Sequence, residues 1–240
     1  MDAVILAAGL GTRLRPHTLT TPKPLLAVQG RPILDWTLAA LPEAVERVIV
    51  VVHYLAEQVE AYLRRQSRQP HWTVVRQEQP RGTGDAVRGC QEHVRSDRFL
   101  VLNGDDLYGA ADLEKLSRCA AGLLVHPVEE PRRFGIALTR PDGTLERLIE
   151  KPDLDGRQLA NTGAYLFPRY VLDWPLTVSP RGEYEITDYV SRLAETARVT
   201  VVPAEFWLPI GTLDVWQQAQ QLDLAPLCRA DGECQVSSAP

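Results

Sequence analysis

A glycine-rich turn directly follows a short apolar run near the start of the chain. Residues Val4 to Ala8 are all apolar, and a run of this length suits a strand covered on both faces of a parallel sheet better than a helix. Gly9 and Gly11 carry no Cβ and allow a sharp turn in which a ligand approaches backbone N–H groups closely. Such a turn suits phosphate groups, although a G-x-G pair alone is equally consistent with an ordinary tight turn.

Two cationic side chains follow this turn and favour a phosphate ligand. Arg13 has a planar fork of donors that matches phosphate oxygens, and Lys23 stands between two prolines that restrict the local backbone. Of the 26 basic residues only Lys23, Lys115 and Lys151 are lysines, so arginine carries nearly all of the positive charge. Against this background Lys23 and Lys151 indicate positions that require a compact ammonium, whereas Lys115 is typical of a surface residue.

The whole string from Val4 to Leu26 resembles the signature of the sugar-phosphate nucleotidylyltransferases. These enzymes join a nucleoside triphosphate to a sugar 1-phosphate and release pyrophosphate. The resemblance implies that Arg13 and Lys23 stabilise charge at the reacting phosphates. It also implies that the strand-end backbone holds the base and the glycine loop holds the triphosphate, at Leu6, Ala8, Gly9, Gly11 and Thr12.

Strand and helix patterns alternate through the first half of the chain. Apolar strands are predicted over Arg47–His53, Trp72–Arg76 and Arg98–Asn103, and helical patterns over Pro32–Leu41 and Ala56–Arg68. This alternation predicts an α/β fold with a doubly wound, mainly parallel, Rossmann-like sheet.

The second half changes character at a predicted hairpin. Asp142-Gly143 stands between two apolar segments, which is a strong signal for a β-hairpin and so for a small antiparallel lobe. The resemblance implies that this lobe binds the sugar, in a fold of the glycosyltransferase-A-like kind. We expect one nucleotidylyltransferase domain over residues 1–225, divided at about residue 120 into a nucleotide-binding half and a sugar-binding half. Residues 226–240 are expected to form a flexible tail.

A second pair of glycines follows Gln77 and precedes a helical pattern. Capping of that helix by Thr83 or Asp85 would explain the polar residues but not the paired glycines. The resemblance implies that Gln77 reads the pyrimidine edge of the base and that Gly82 and Thr83 belong to the nucleotide site. An amide has a donor and an acceptor that match the N–H and C=O of uracil or thymine, and Gln79 is the alternative reader.

Two aspartates, Asp105 and Asp106, follow the predicted strand Arg98–Asn103. A carboxylate at the carboxyl end of a parallel strand points into the crevice where open α/β sheets bind ligands. The resemblance implies that Asp105 holds Mg²⁺, a hard cation that prefers oxygen ligands, against the triphosphate. Asp106 is expected to cap the following turn rather than contact the metal.

The resemblance also implies a sugar site in the second half. Phe134-Gly135 resembles the family's aromatic-glycine step, in which the glycine backbone meets a sugar hydroxyl. Glu150 would accept hydroxyl protons and Lys151 would meet the sugar phosphate, although spacing alone favours a surface ion pair for these two residues. Asn161 would bind a further hydroxyl.

The segment 182–188 begins a helix with apolar spacing and resembles the family's G-E-x-E-I-T-D run. Glu183 or Glu185 can reach the sugar. Acidic residues at a helix start also favour the helix dipole, and the two interpretations are equally supported.

The chain departs from the family's pattern at Pro209. The family has an aspartate here, or an asparagine in some members, as the second protein ligand of the metal, and proline has no side-chain donor atom. Three explanations stand open. Asp105 and the nucleotide phosphates hold Mg²⁺ with more water, or Asp214 or Glu205 reaches in, or catalysis is lost. We favour an active enzyme with a weakened metal site, because Mg²⁺ needs only one or two carboxylates.

Composition restricts the class of partner. The chain has 240 residues, of which 45% are hydrophobic and 24% charged, as in an ordinary globular protein. The formal net charge of -5 argues against a nucleic-acid-binding surface, so local cations must hold any anionic ligand.

No signal peptide or membrane span is visible; we expect a cytoplasmic protein, with a homo-oligomer as an open alternative. The four cysteines lack metal-site spacing, and free thiols are favoured over a disulfide between Cys228 and Cys234.

Two other functions compete on the same fold. A catalytically silent nucleotide-sugar sensor is motivated by Pro209, but a sensor has no need of Arg13, Lys23, Asp105 and Lys151. A CTP-dependent cytidylyltransferase of the phosphocholine type would need an acidic and aromatic ammonium pocket. We favour an enzyme that uses UTP or dTTP with a hexose 1-phosphate. No internal repeat is visible, so we expect no appended β-helix.

Overall fold

The computed structural model describes residues 1–65 and 71–228. The end of the helix predicted over Ala56–Arg68 and most of the predicted tail lie outside the described residues. The strands are β1 (Asp2–Ala7), β2 (Ala27–Val28), β3 (Arg31–Pro32), β4 (Arg47–Val52), β5 (His71–Arg76), β6 (Arg98–Asn103), β7 (Asp106–Tyr108), β8 (Gly122–Val128), β9 (Gly135–Thr139), β10 (Leu145–Glu150), β11 (Gln158–Pro168), β12 (Thr200–Pro203) and β13 (Trp207–Pro209). The helices are α1 (Ile33–Ala40), α2 (Ala56–Arg65), α3 (Thr83–Arg88), α4 (Ala110–Ser117), α5 (Ile186–Thr196) and α6 (Leu213–Ala219).

Four parallel strands form the centre of the main sheet, in the spatial order β5, β4, β1, β6. The apolar run predicted for β4 is buried from Val48 to Val52, as expected for a strand that helices cover on both faces. Leu6 at the end of β1 is in register with Asn103 at the end of β6. The carboxyl ends of these two strands therefore meet at one edge of the sheet.

An antiparallel region continues the sheet on the β6 side. The long strand β11 pairs antiparallel with β6, β8 and β9, and β9 pairs with β10 in the hairpin predicted at Asp142-Gly143. An irregularity in β11 contains Gly163, which has a φ of +79°. A Cβ at Gly163 would lie 2.0 Å from Asn103 Nδ2, so only glycine lets the Asn103 side chain occupy this place.

Alternate residues of β1 face two different hydrophobic clusters. Ala3 and Ile5 pack on one face of the sheet with α1, α2 and α4, whereas Val4 packs on the other face with α3 and α5. This arrangement confirms the predicted class: a mixed sheet, mainly parallel at its centre, with helices on both faces. Its ligand crevice is therefore expected at the carboxyl ends of the parallel strands.

Two further observations concern the expectations from composition. Across the residues that the structure describes, no helix combines the length and the apolar character needed to cross a membrane. Cys90 and Cys119 are free thiols, as expected, but Cys228 is disulfide-bonded, contrary to the favoured expectation. Cys234 lies outside the described residues.

Candidate active site

A crevice opens where β1 and β6 end, and it has a volume of about 340 Å³. Asn103, the last residue of β6, and Gly104, which follows it, form part of the crevice wall. Eight of the residues predicted for the nucleotide and the metal also line it: Leu6, Ala8, Gly9, Lys23, Gln77, Gly82, Thr83 and Asp105. Segments that are distant in the sequence thus converge on one site.

The glycine loop continues past the crevice from Gly11 to Arg13, outside the lining of the cavity. Gly11 has a φ of +61°, and its carbonyl oxygen accepts a hydrogen bond from Thr18 Oγ1 at 2.7 Å. A tight turn over Thr12–Leu14 follows. The Arg13 guanidinium lies beside the segment that follows β13, since a Cβ built on Gly211 would lie 3.6 Å from its Nη2.

A buried ammonium faces the predicted metal ligand. Lys23 is only 6% exposed, and its Nζ donates to Asp105 Oδ2 at 2.5 Å. The prolines on both sides of Lys23 are buried as well, and they hold the short turn that carries it. The Asp105 side chain is 40% exposed, so its carboxylate remains accessible to a ligand in the crevice.

Asp106 is not the turn cap expected from the sequence, because it begins β7 and is buried. Its Oδ2 accepts hydrogen bonds from Trp207 Nε1 at 3.3 Å and from Asn103 Nδ2 and the Tyr108 hydroxyl at 3.5 Å. Burial, and then the charge of Asp105, raises the pKa of Asp106 to about 8. Asp106 joins β7, β13 and the end of β6 behind the crevice.

Pro209 lies beside Asp105, where the family's second metal ligand is expected. It is in register with Asp106 in the β7–β13 ladder, and the next residue donates its N–H to the carbonyl oxygen of Asp105 at 3.3 Å. Of the two substitute acids, Glu205 pairs instead with Lys115 at 2.6 Å. Asp214 is exposed in the first turn of α6.

The donor set beside Lys23 is thus one accessible carboxylate, that of Asp105, and the exposed Glu183 also lines the crevice. Within residues 1–65 and 71–228, no group of three or more His, Cys, Asp or Glu side chains is arranged to hold a metal ion. Asp105 alone still fits Mg²⁺ in a nucleotide complex, because this ion commonly binds one or two carboxylates and takes its other ligands from phosphate oxygens and water. The protein groups at this site do not by themselves complete the coordination of a metal ion.

The predicted base reader, Gln77, is held firmly at the end of β5. Its backbone N–H donates to the carbonyl oxygen of Val52 at 2.8 Å, and its own carbonyl oxygen lies 2.7 Å from His53 Nδ1. Its side-chain Nε2 donates to the carbonyl oxygen of Gly82 at 3.0 Å. The alternative reader, Gln79, is exposed and accepts from Arg81 instead. Of these two glutamines, only Gln77 lines the crevice.

The second glycine turn is joined to the start of α5. Gly84 N–H donates to the carbonyl oxygen of Tyr184 at 2.8 Å, and Tyr184 N–H donates to the carbonyl oxygen of Arg81 at 2.8 Å. Gly82 has a φ of +110°, and a Cβ there would lie 2.3 Å from the Tyr184 carbonyl oxygen. Glycine is therefore required by both the backbone conformation and the close approach.

The predicted sugar residues form a second cluster. A Cβ built on Gly135 would lie 3.2 Å from Glu150 Oε2 and 3.8 Å from Asn161 Cβ, so these three residues are neighbours. Lys151 Nζ lies 3.8 Å from Glu150 Oε1. Asn161 is oriented by Tyr165, whose hydroxyl accepts from Asn161 Nδ2 at 2.7 Å. None of these residues lines the crevice itself.

Arg181, which was not among the predicted site residues, joins this cluster. Its Nη1 lies 3.5 Å from Glu150 Oε1, and its Nη2 lies 2.6 Å from Glu185 Oε2. Two cations, Lys151 and Arg181, therefore flank Glu150. Glu185 is bound to Arg181, whereas Glu183 lines the crevice and is the better placed of the two glutamates to meet a ligand. A basic residue directly before the G-E-x-E-I-T-D run was the available signal.

Known proteins are similar in sequence to this chain along most of its length. The chain matches the family described as nucleotidyl transferase over residues 2–225. It is 32% identical over 214 residues to the bifunctional protein GlmU of Methanocaldococcus jannaschii, which covers 88% of this chain and 51% of that protein. It is also 32% identical over 233 residues to the UTP--glucose-1-phosphate uridylyltransferase AglF of Haloferax volcanii, which covers 92% of this chain and 96% of that protein.

The fold is shared with solved structures as well. A crystal structure of a provisionally assigned glucose-1-phosphate thymidylyltransferase from Bacillus anthracis superposes with a TM-score of 0.81 at 27% identity, covering 92% of this chain and 94% of that one. The chain spans about half the length of the bifunctional relatives, so the similarity to them concerns that part alone. Because the family match includes every motif described above, this chain belongs to the nucleotidyl transferase family.

Proposed function

We propose that this chain transfers a nucleotidyl group from UTP or dTTP to a hexose 1-phosphate and releases pyrophosphate. The observation that carries the proposal is the buried ammonium of Lys23, which lies 2.5 Å from Asp105 in the wall of the crevice. A buried cation that neighbours one accessible carboxylate suits a reacting phosphate group. The names of AglF and of the Bacillus anthracis protein, which specify glucose 1-phosphate with UTP or a thymidylyl group, support this choice of substrates.

In the proposed reaction a phosphate oxygen of the sugar 1-phosphate attacks the α-phosphorus in line. A new P–O bond forms as the bond to pyrophosphate breaks, and no protein nucleophile takes part. Lys23 neutralises charge at the α-phosphate, and Arg13, which follows the glycine loop, meets the leaving β- and γ-phosphates. Lys151 and Arg181 hold the attacking phosphate, which their positions on either side of Glu150 support.

The sugar hydroxyls are assigned to the cluster around Gly135. Glu150 and Asn161 present side-chain oxygen and amide groups there, and both lie within van der Waals reach of the position that a Cβ of Gly135 would occupy. The missing Cβ leaves room for a hydroxyl against the backbone. A site that combines a carboxylate with an amide suits a polyhydroxyl ligand better than the trimethylammonium group of phosphocholine.

Nucleotidyltransferases of this family generally use a divalent metal, and we propose Mg²⁺ for this chain. Asp105 is the protein residue that would hold the ion, with the nucleotide phosphates completing the site. Bound there, the metal would supply neutralisation of charge on the triphosphate.

The test is pyrophosphate release measured with Mg²⁺ across a grid of nucleoside triphosphates and sugar 1-phosphates. We expect turnover with UTP or dTTP and a hexose 1-phosphate. In Lys23→Ala the rate should fall by about 10²-fold or more, as when one charge-stabilising donor is removed from an active site. Full turnover by Lys23→Ala would contradict the assignment of Lys23.

Pro209 motivates a second candidate, a nucleotide-sugar sensor without catalysis. Pyrophosphate release and nucleotide-sugar binding, measured on the same protein, distinguish the enzyme from the sensor. If no pair in the grid releases pyrophosphate, and calorimetry still detects binding of a nucleotide sugar, the sensor replaces the enzyme. Turnover with any pair excludes the sensor.

A further inference from the structure

A carboxylate behind Gln77 fixes which end of its amide faces the crevice. Asp85 Oδ2 accepts a hydrogen bond from Gln77 Nε2 at 3.1 Å, and the carbonyl oxygen of Gly82 accepts from the same nitrogen at 3.0 Å. An amide NH₂ group has two hydrogens, and these two acceptors use both. The oxygen Oε1 is therefore the polar atom of the Gln77 side chain that is left to meet a ligand.

The reverse orientation of the amide is disfavoured by the same neighbours. An ionised aspartate and a backbone carbonyl are both acceptors, so turning the amide over would place its oxygen against two other oxygens. Asp85 is itself held in place, since Arg88 Nη2 donates to its Oδ1 at 3.3 Å. The Arg88 guanidinium in turn lies 5.4 Å from the centre of the Tyr184 ring. Three side chains in series thus determine the orientation of one amide.

Asp85 acts from outside the crevice. Gln77 lines both the crevice and a second cavity of about 360 Å³ on its other side, whereas Asp85 and Arg88 line only the second cavity. The Asp85 side chain is only 18% exposed. Asp85 is therefore placed to position Gln77 and not to touch the nucleotide.

We propose that Asp85 sets the base selectivity of this site by presenting Gln77 Oε1 as a fixed hydrogen-bond acceptor. The proposal rests on the proposed function and deepens it. Uracil and thymine carry an N–H at position 3 that donates to such an oxygen, whereas cytosine has a lone pair at position 3 that opposes it and a donor only at its amino group on position 4. Guanine offers an N–H at its equivalent edge, so the decisive comparison is between uracil and cytosine, whose rings have the same size.

The test is Asp85→Asn, which keeps the size of the side chain but can either donate to or accept from Gln77. The affinities for UTP and CTP are measured by calorimetry, and kcat/KM is measured for both where turnover is seen. We expect the ratio of UTP to CTP affinity to fall by about tenfold or more, the effect of a misplaced or unpaired polar group on binding. A residue with a merely structural role would weaken both nucleotides alike and leave the ratio unchanged, which would overturn the proposal.

Glu78→Gln is the matched control. Glu78 lines the same second cavity, and its replacement removes the same charge without altering the hydrogen bonds of the Gln77 amide described above. The ratio should stay at the wild-type value, and an equal fall in this control would overturn the proposal in favour of a general effect of charge.

Arg88→Leu provides a second measurement in case Asp85→Asn fails to fold. It leaves Asp85 in place but removes the donor that orients it, so the ratio should fall in the same direction by a smaller factor. An unchanged ratio in Arg88→Leu, or a wild-type protein that binds UTP and CTP equally, counts against the proposal. Because the ratio is read from binding, it tests Asp85 even if no sugar phosphate is turned over, in which case only the proposed function fails.

Discussion

Pro209 lies next to Asp105 and brings no metal-binding side-chain atom there. The proposed enzyme therefore holds its metal with one carboxylate of the protein. Because carboxylate ligands set much of the affinity of a hard cation, the chain should need more free Mg²⁺ than a site with two carboxylates. The substitution that restores the second ligand is Pro209→Asp.

In Pro209→Asp we expect the Mg²⁺ concentration for half-maximal activity to fall by about tenfold, in keeping with the dependence of metal affinity on ligand charge. Binding of Mn²⁺ to the nucleotide complex, followed by electron paramagnetic resonance, provides a measurement that does not depend on turnover. Pro209→Ala is the control, since it removes the ring without adding a ligand. If Pro209→Ala shifts the metal dependence as much as Pro209→Asp, the effect comes from the backbone and the argument fails.

Among the elements, the turn between β5 and α3 depends on Gly82. An alanine there would place its Cβ 2.3 Å from the Tyr184 carbonyl oxygen, at a φ of +110°. The turn must then move away from α5, and Gln77 loses an acceptor that holds its amide. Gly82→Ala should weaken nucleotide binding and lower the free energy of unfolding by about 1–3 kcal/mol.

Gly143→Ala is the matched control for this prediction. Gly143 also has a positive φ, +78°, but a Cβ there meets no atom within 4 Å. Gly143→Ala should lower the free energy of unfolding only through the strain of a positive φ, and it should leave nucleotide affinity unchanged. Urea unfolding and calorimetry check both variants, and equal nucleotide affinity in Gly82→Ala and wild type would refute the role of the turn.

The start of β1 is held by a buried carboxylate. Asp2 is 1% exposed and accepts from Arg47 at 2.7 and 2.9 Å and from the N–H groups of Arg95 and Ser96. Burial alone would raise the pKa of Asp2, but these hydrogen bonds together outweigh it and lower the pKa below its usual value. Asp2→Asn should reduce the free energy of unfolding at pH 7 by about 1–3 kcal/mol, because it removes the charge that faces Arg47 and replaces one acceptor oxygen with a donor NH₂ group.

The sign of the pH dependence follows from the lowered pKa. The stabilisation by Asp2 is complete above the unfolded-state pKa of about 3.9 and is lost as the pH falls through the lower folded-state value. The difference between wild type and Asp2→Asn, measured by urea unfolding, should therefore shrink below about pH 4. Glu146→Gln on the exposed side of β10 should change stability by no more than about 0.5 kcal/mol. A difference for Asp2→Asn that is constant with pH would argue against the ionised pair.

Across the whole molecule, the sequence predicted the groups whose role is set within one segment. Lys23 and Asp105 each stand in a local motif, and the fold brings both to one crevice. The prediction that Asp106 caps a turn was wrong because its hydrogen-bond donor, Trp207, lies in a short strand far along the chain. A strand of three residues has no periodic pattern from which the sequence could have predicted this contact. Arg181 was missed for a similar reason, since its position beside Glu150 depends on the packing of the α5 start against the hairpin.

One of the contacts between the two halves of the molecule is made by a hydroxyl that can be removed without changing the size of the side chain. α5 begins at Ile186 with no side-chain cap from its own segment, and the Ile186 N–H donates instead to Thr83 Oγ1 at 3.0 Å. Thr83 lines the nucleotide crevice, while α5 follows directly on the segment that carries Arg181. We therefore expect a nucleotide that contacts Thr83 to affect the proposed site of the sugar phosphate through this hydrogen bond.

Thr83→Val should break this link. We expect a loss of about 1 kcal/mol in stability, as for the removal of a helix cap, and a rise in KM for the sugar 1-phosphate that exceeds the rise in KM for the nucleotide. Thr83→Ser keeps the hydroxyl and should behave as wild type in both constants. Initial-rate measurements that vary each substrate against the other check the comparison. If the two KM values rise in equal proportion in Thr83→Val, the hydroxyl serves the nucleotide site alone and the two halves are joined by other contacts.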